Sequence, residues 1–145
     1  MKLNGTHKFK ASSAQVFNAI LNPSVLKASI PGTDSVTYLN ENQLQANITT
    51  QLPGLRGPYA VVINIVRKEA PRYLELQVQR SGKGGSVNAV SQINLTDEPD
   101  GAVLTYNANA ELEGPVAIAN NPLGQGIVKS SLGAFFKNLD KAIAG

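Results

Sequence analysis

Apolar and polar positions alternate with a period of two through most of this chain, and the exceptions are one early stretch and the C-terminal one. Leu3, Gly5, His7 and Phe9 alternate with Asn4, Thr6, Lys8 and Lys10, which reads as a strand with one inward and one polar face. Ser12 followed by Gln15 predicts a capping box, and Val16, Phe17, Ile20 and Leu21 form an apolar stripe behind it. Asn22-Pro23 predicts a second short helix, running to about Ser29 and stopped by Ile30-Pro31-Gly32. The period then returns to two. Strands are predicted at Ser35–Leu39, around Leu44, Ala46 and Ile48, from Tyr59 through Ile65, around Leu74, Leu76 and Val78, at Val87–Leu95 and at Val103–Leu112. Short turns between them predict an antiparallel meander covered on one face. Two segments interrupt it, Leu52–Gly57 as a turn and Ser81–Gly85 as a flexible link.

The chain closes on a helix. Asn121-Pro122 repeats the cap-and-proline signature, and Val128, Leu132, Phe135, Leu139 and Ala142/Ile143 recur at helical spacing. Lys129, Lys137 and Lys141 lie off that stripe. With no other long element to cover the sheet, this helix must do so, giving an α+β arrangement in which a curved sheet can enclose space its side chains do not fill.

Composition narrows the chemistry. The 145 residues suit one domain, 1–145, and contain no cysteine, which removes disulfides, thiolate nucleophiles and thiolate metal sites. Thirteen basic against ten acidic residues give a net charge of +3. The basic residues lack interleaved aromatics, and tryptophan is absent, so nucleic acid is not the expected partner. The opening MKLNGTHKFKASS has no apolar run, and AVVINIV at Ala60–Val66 is too short to span a bilayer. The expectation is a cytoplasmic protein with at most peripheral contact at the inner face of the membrane.

Few residues invite chemistry. His7 is the one histidine, and nothing nearby in the sequence is nominated to position it as a base, so a structural or cavity-wall role is expected. One histidine and scattered carboxylates do not make a metal site. Glu111 and Glu113 share the outward face of a strand end, and Asp97, Glu98 and Asp100 read as turn residues. The glycines of Ser81–Gly85 precede a strand, not the helix a phosphate loop needs, and Lys83 reads as exposed. Two readings stand for Arg56: a cation at the rim of a cavity, or a solvent-facing turn residue. Two stand likewise for Tyr59 and Tyr106, as polar contacts inside an apolar pocket or as core residues. Gly114–Gly126 is apolar yet rich in glycine and proline; it is either a gate with Val116 and Ile118 as lid contacts, or an irregular helix entry.

Several motifs resemble one family. They are N-P-x-V-L at Asn22–Leu26, I-P-G at Ile30–Gly32, L-R-G at Leu55–Gly57, G-K-G-G at Gly82–Gly85, LTYNANAELEG at Leu104–Gly114 and FFKNLDKAI at Phe135–Ile143. Together they are similar to the G-subunit family of carbon monoxide dehydrogenase, a branch of the START-like (helix-grip, SRPBCC, Bet v 1-like) superfamily. The resemblance implies a curved antiparallel sheet of about seven strands wrapped around a long C-terminal helix, with two short helices between strands 1 and 2. It also implies no catalysis, but binding or carriage of a lipid or quinone-like molecule between sheet and helix. The expected lining is Phe17, Leu21, Leu26, Ile30, Arg56, Tyr59, Val61, Leu76, Tyr106, Val128, Leu132 and Phe135. The implied partner is a molybdenum hydroxylase of the carbon monoxide dehydrogenase type; the alternatives are an interaction factor recruiting that enzyme to the membrane, or a polyketide cyclase-like enzyme. Some family members carry a further membrane-attaching tail, whereas this sequence ends at Gly145 directly after the helix, which makes cavity binding the simpler expectation.

Overall fold

The structure is a computed structural model that describes residues 1–49, 58–82 and 85–144. Its elements run β1 (Lys2–Phe9), α1 (Ser13–Ile20), α2 (Pro23–Ser29), β2 (Thr33–Asn40), β3 (Gln43–Ile48), β4 (Tyr59–Glu69), β5 (Tyr73–Arg80), β6 (Ser86–Glu98), β7 (Gly101–Glu113), a 3-10 helix (Gly114–Asn120) and α3 (Pro122–Ala144). The strands form one seven-stranded sheet in the order β1-β7-β6-β5-β4-β3-β2. Every pairing is antiparallel. Strands β2 to β7 follow one another as the predicted meander, and β1 closes against β7.

The helix starts form for the local reasons the residues dictate. Ser12 Oγ accepts from Gln15 N at 3.2 Å while Gln15 Oε1 accepts from Ser12 N at 3.0 Å, completing the capping box. Asn22 Oδ1 accepts from Ser24 N and Val25 N at the start of α2. Asn121 Oδ1 accepts from Gly124 N at 2.7 Å at the start of α3. The last cap revises an expectation. Gly114–Gly126 is not one irregular stretch: its first part is the 3-10 helix, and α3 already runs from Pro122, so Gly124 and Gly126 are helical. Asp97 is also more than a turn residue, because it lies in β6 and its Oδ1 accepts from Ser13 N at 2.9 Å, giving α1 a second anchor. Glu98 and Asp100 both pair with Lys8 at the surface.

The two faces of the sheet differ in chemistry. Outside, side-chain amides link neighbouring strands, Gln43 to Asn64 and Gln77 to Asn88, with Asn64 bridging to Gln77 and Gln79. Inside, the alternate residues of the same strands turn toward α1, α2 and α3, and Phe9, Val16, Leu44, Leu74, Leu104 and Leu139 form the most deeply buried part of the core. Helix α3 packs most closely on α2, the 3-10 helix, α1 and β1. Asn138 Nδ2 donates to the Ser29 carbonyl at 3.1 Å, tying α3 to the end of α2.

Candidate functional site

The inward face can be read strand by strand from its register. At one end Leu104 pairs with Leu95, and Leu74 pairs with Ile93. Leu74, Leu95 and Leu104 are 0, 3 and 1 % exposed. Further along the same strands the inward row is Leu3, Ala108, Ser91, Leu76 and Ile65, then Ile63, Val78, Ala89 and Ala110, then Arg80, Val87 and Leu112. Apart from Leu3, Ile65 and Ala110 these are only half-buried, although parity turns them inward. Leu132 and Phe135 of α3 are half-buried as well. Ser91, Ala89 and Ala108 are small, and the closest packing partners of α3 are α2, the 3-10 helix, α1 and β1, not these strands. Solvent therefore reaches an apolar surface that the alternation alone would assign to the core.

Aromatic rings form the boundary between the two ends. Tyr106 pairs across the sheet with Gly5, and a Cβ on Gly5 would stand 2.7 Å from the tyrosine hydroxyl oxygen. Glycine is what lets the ring lie across β1. Tyr106 meets Phe136 at 5.4 Å between centroids, and Phe136 stacks on His7 at 5.3 Å. His7 also meets Phe9 edge-on at 4.6 Å. Its Nε2 is buried without a hydrogen-bond partner, and desolvation lowers its pKa below the ordinary 6.5 against an opposing pull from Asp140. This is a ring packed among aromatics. Among the described residues, no three histidine, aspartate or glutamate side chains gather to hold a metal ion.

At the other end stands Arg80, which the sequence pattern alone did not nominate. It continues the inward row Leu74, Leu76, Val78 of β5, its guanidinium lies 5.8 Å from the centre of the Tyr59 ring, and its Nη1 donates to the Gly85 carbonyl. Parity along β5 was the signal that could have found it. Burial raises the pKa of Tyr59, and the Arg80 charge opposes that rise.

The predicted lining separates into three groups. Phe17, Leu26 and Tyr59 are buried in the core cluster. Leu21, Ile30, Val61, Leu76, Tyr106, Val128, Leu132 and Phe135 are half-buried. Arg56 lies outside the described residues, as do the predicted Leu52–Gly57 turn and Lys83. Tyr59 and Tyr106 are not brought together: they sit on β4 and β7, with β5 and β6 between them. Phe136, the more buried of the adjacent phenylalanines, was missed, although its spacing of four from Leu132 marks it as a stripe residue. Of the two lid candidates, Val116 is a buried core residue, and Ile118 lies outside the residues whose side chains are described.

A second feature lies on the far side of α3. Leu123, Gly126, Ile127, Ser130, Ser131 and Ala134, one face of the helix, border a groove of about 590 Å³ together with Pro31 and Pro122. Leu123 is 78 % exposed and Ile127 43 %. Among the described residues no helix is long and apolar enough to cross a membrane.

A seven-stranded antiparallel sheet curved about a long C-terminal helix, with two short helices after the first strand, is the START-like helix-grip fold. A START superfamily protein from Mycobacterium smegmatis superposes with a TM-score of 0.75 at 12 % identity, covering 99 % of this chain and 97 % of its own. Ara h 8.0201 does so with 0.75 at 11 %, covering 99 % and 97 %. A conserved protein from Geobacillus kaustophilus is nearer, with a TM-score of 0.91 at 29 % identity over 99 % of this chain and 95 % of its own. The sequence matches the family model of the carbon monoxide dehydrogenase G subunit (CoxG) over residues 5–144, and the chain belongs to that family. No curated protein matches it.

Proposed function

We propose that this protein binds and carries a hydrophobic molecule, a quinone or isoprenoid-type lipid, between α3 and the inward face of β4–β7. The observation that supports this reading is the change in burial along one continuous apolar face. Leu74, Leu95 and Leu104 are sealed, whereas Leu76, Val78, Val87, Leu112, Leu132 and Phe135 stay half-buried. Removing such surface from water contributes roughly 25 cal/mol per Å², less the cost of ordering the ligand. The role is binding and not catalysis, since His7, the natural acid–base candidate, is wedged between phenylalanines and biased toward its neutral form. Family membership suggests the recipient, a molybdenum hydroxylase of the carbon monoxide dehydrogenase type.

Protein purified without detergent and extracted into organic solvent should yield a stoichiometric lipid or quinone by mass spectrometry. Adding a short-chain prenylated naphthoquinone to delipidated protein should shift the methyl resonances of Leu76, Val87, Leu112 and Leu132 and leave Leu74 and Leu104 unmoved. An empty extract together with unmoved methyls would end the proposal.

A second reading, recruitment of a partner protein, has one observation in its favour: the groove on the outer side of α3 with Leu123 and Ile127 exposed. Leu123→Glu should leave quinone binding unchanged and lower retention of the recipient enzyme; unchanged retention argues against docking there.

A further inference from the structure

We infer that residues 123–133 of α3 form a strap, fixed at both ends, that unwinds and bows outward to admit the ligand. The inference rests on the ligand-binding role proposed above.

The two halves of α3 differ in what holds them. In the second half, Phe136 and Leu139 are 8 and 0 % exposed, and Phe136 lies against His7, Phe9 and Tyr106. Asn138 Nδ2 there donates to the Ser29 carbonyl. Before the helix, Val116 of the 3-10 helix is buried in the core, and Asn121 Oδ1 caps the start of α3 by accepting from Gly124 N. Between these anchors only Gly124 is buried. Val128 and Leu132 are half-buried, and Leu123 and Ile127 are exposed.

The weakly held segment is also the poorer helix former. Residues 123–133 contain three glycines and two serines, whereas residues 134–144 contain neither. Glycine ranks below every residue but proline in a helix interior. Close packing or a left-handed backbone would give it a reason to be there. Neither applies: a Cβ on Gly126 or Gly133 would meet nothing within 4 Å, and neither residue has a positive φ. Ser131 Oγ donates to the Ile127 carbonyl at 3.0 Å, a back-bond that weakens and bends helices. What these residues supply is a low cost of unwinding. A chain advances about 1.5 Å per residue as a helix and about 3.3 Å when extended. Unwinding a few residues therefore gives the strap slack while both anchors stay seated. Val128 and Leu132 then lift from the half-buried apolar surface, and the ligand passes beneath them.

Hydrogen exchange and binding kinetics test this together. In the wild type, residues 125–132 should exchange through an opening short of global unfolding, and residues 136–142 should be more protected. Gly126→Ala and Gly133→Ala, for which there is room, should each slow exchange in the strap by about fivefold, the helix-propensity difference between the two residues. Lys129→Gly, at an exposed site of the strap, should speed it by about as much. Association and dissociation of the short-chain prenylated naphthoquinone, followed by tyrosine fluorescence, should change by the same factor in the same direction. Affinity should stay within about twofold, because both rates pass through the open strap. Equal protection in the two halves of α3, or quinone rates that ignore all three substitutions, overturns the strap and leaves ligand binding intact. Absence of quinone binding to the wild type overturns the ligand-binding role, and the exchange contrast alone then decides whether residues 123–133 open.

Discussion

The two ends of the inward face are built from the same strands and the same alternation, yet one is sealed and the other is not. At the sealed end the inward residues are large, and α1 lies against β6 and β7 with Val16 and Phe17 buried beneath it. At the unsealed end Ala89, Ser91 and Ala108 replace the leucines, and the element in contact with β6 and β7 is the 3-10 helix, with Val116 buried. Periodicity says which way a side chain points; side-chain volume and the element above decide whether it meets protein or solvent. The largest expected effect follows. Leu104→Ala should cost about 2–5 kcal/mol, because it leaves a cavity in a packed region. Leu112→Ala should cost less than about 1.5 kcal/mol in the delipidated protein, since a half-buried site has less to lose. Urea unfolding of both variants checks this, and equal costs would break the comparison.

The boundary between the two ends can be moved. A methyl on Gly5 would stand 2.7–2.9 Å from three atoms of the Tyr106 side chain, the hydroxyl oxygen and two ring carbons, so Gly5→Ala must push that side chain away from β1. Overpacking of this kind costs about 1–3 kcal/mol. The ring would also leave its tilted contact with Phe136, and the resonances of Phe136 and His7 should shift with it. If Tyr106 and its neighbours keep their shifts and stability is unchanged, the ring does not mark the boundary.

How much of this the sequence disclosed depends on whether the cause was local. The caps at Ser12, Asn22 and Asn121, the β2–β7 meander and the inward parity of Tyr59 and Tyr106 are set by neighbouring residues, and they were legible; the pairing of β1 with β7, which joins Phe9 to Ala102, was not. The second anchor of α1 was not, because Asp97 reaches Ser13 across 84 residues and looks like a turn residue in its own stretch. The lining was legible only in part for the same reason. Phe17, Leu26 and Tyr59 point inward as predicted, but neighbours brought by tertiary packing bury them in the core. Arg80 was passed over since it ends its strand beside a glycine-rich connection, where a charge is ordinarily read as solvent-facing. The groove on α3 escaped because its lining comes from the side of the helix opposite the apolar stripe and from Pro31, which is distant in sequence.

The capping box tests the sealed end from its cover. Ser12→Ala removes the oxygen that accepts from Gln15 N and should cost about 1 kcal/mol. With Asp97 still holding Ser13 N, helix α1 should stay seated, so hydrogen exchange at Leu95 and Leu104 should rise only in line with the global loss. The added substitution Asp97→Ala, which removes the acceptor for Ser13 N, should raise exchange at those two residues beyond that. A double variant that exchanges like the single one would show that α1 does not depend on this second anchor.

The smallest effect is a pH dependence carried by His7, which also belongs to the sealed end. Its ring lies against Phe9 and Phe136, its Nε2 has no partner, and burial lowers its pKa from 6.5 more than Asp140 raises it. Above pH 6.5 the folded and unfolded chains both carry a neutral ring, and the contribution of His7 is fully present. As the pH falls through that value, the unfolded chain takes up a proton that the folded chain does not, so stability drops until the pH is also below the folded pKa. His7→Phe keeps an aromatic ring against Phe136 and removes the titration. Its urea midpoint should therefore fall less steeply than the wild type's between pH 7 and about 5, the range in which a histidine near its ordinary pKa changes charge. Parallel slopes in the two proteins would mean that the buried ring pays no protonation penalty, and that the sealed end is more open to water around His7 than the sealing of Phe9 and Leu139 implies.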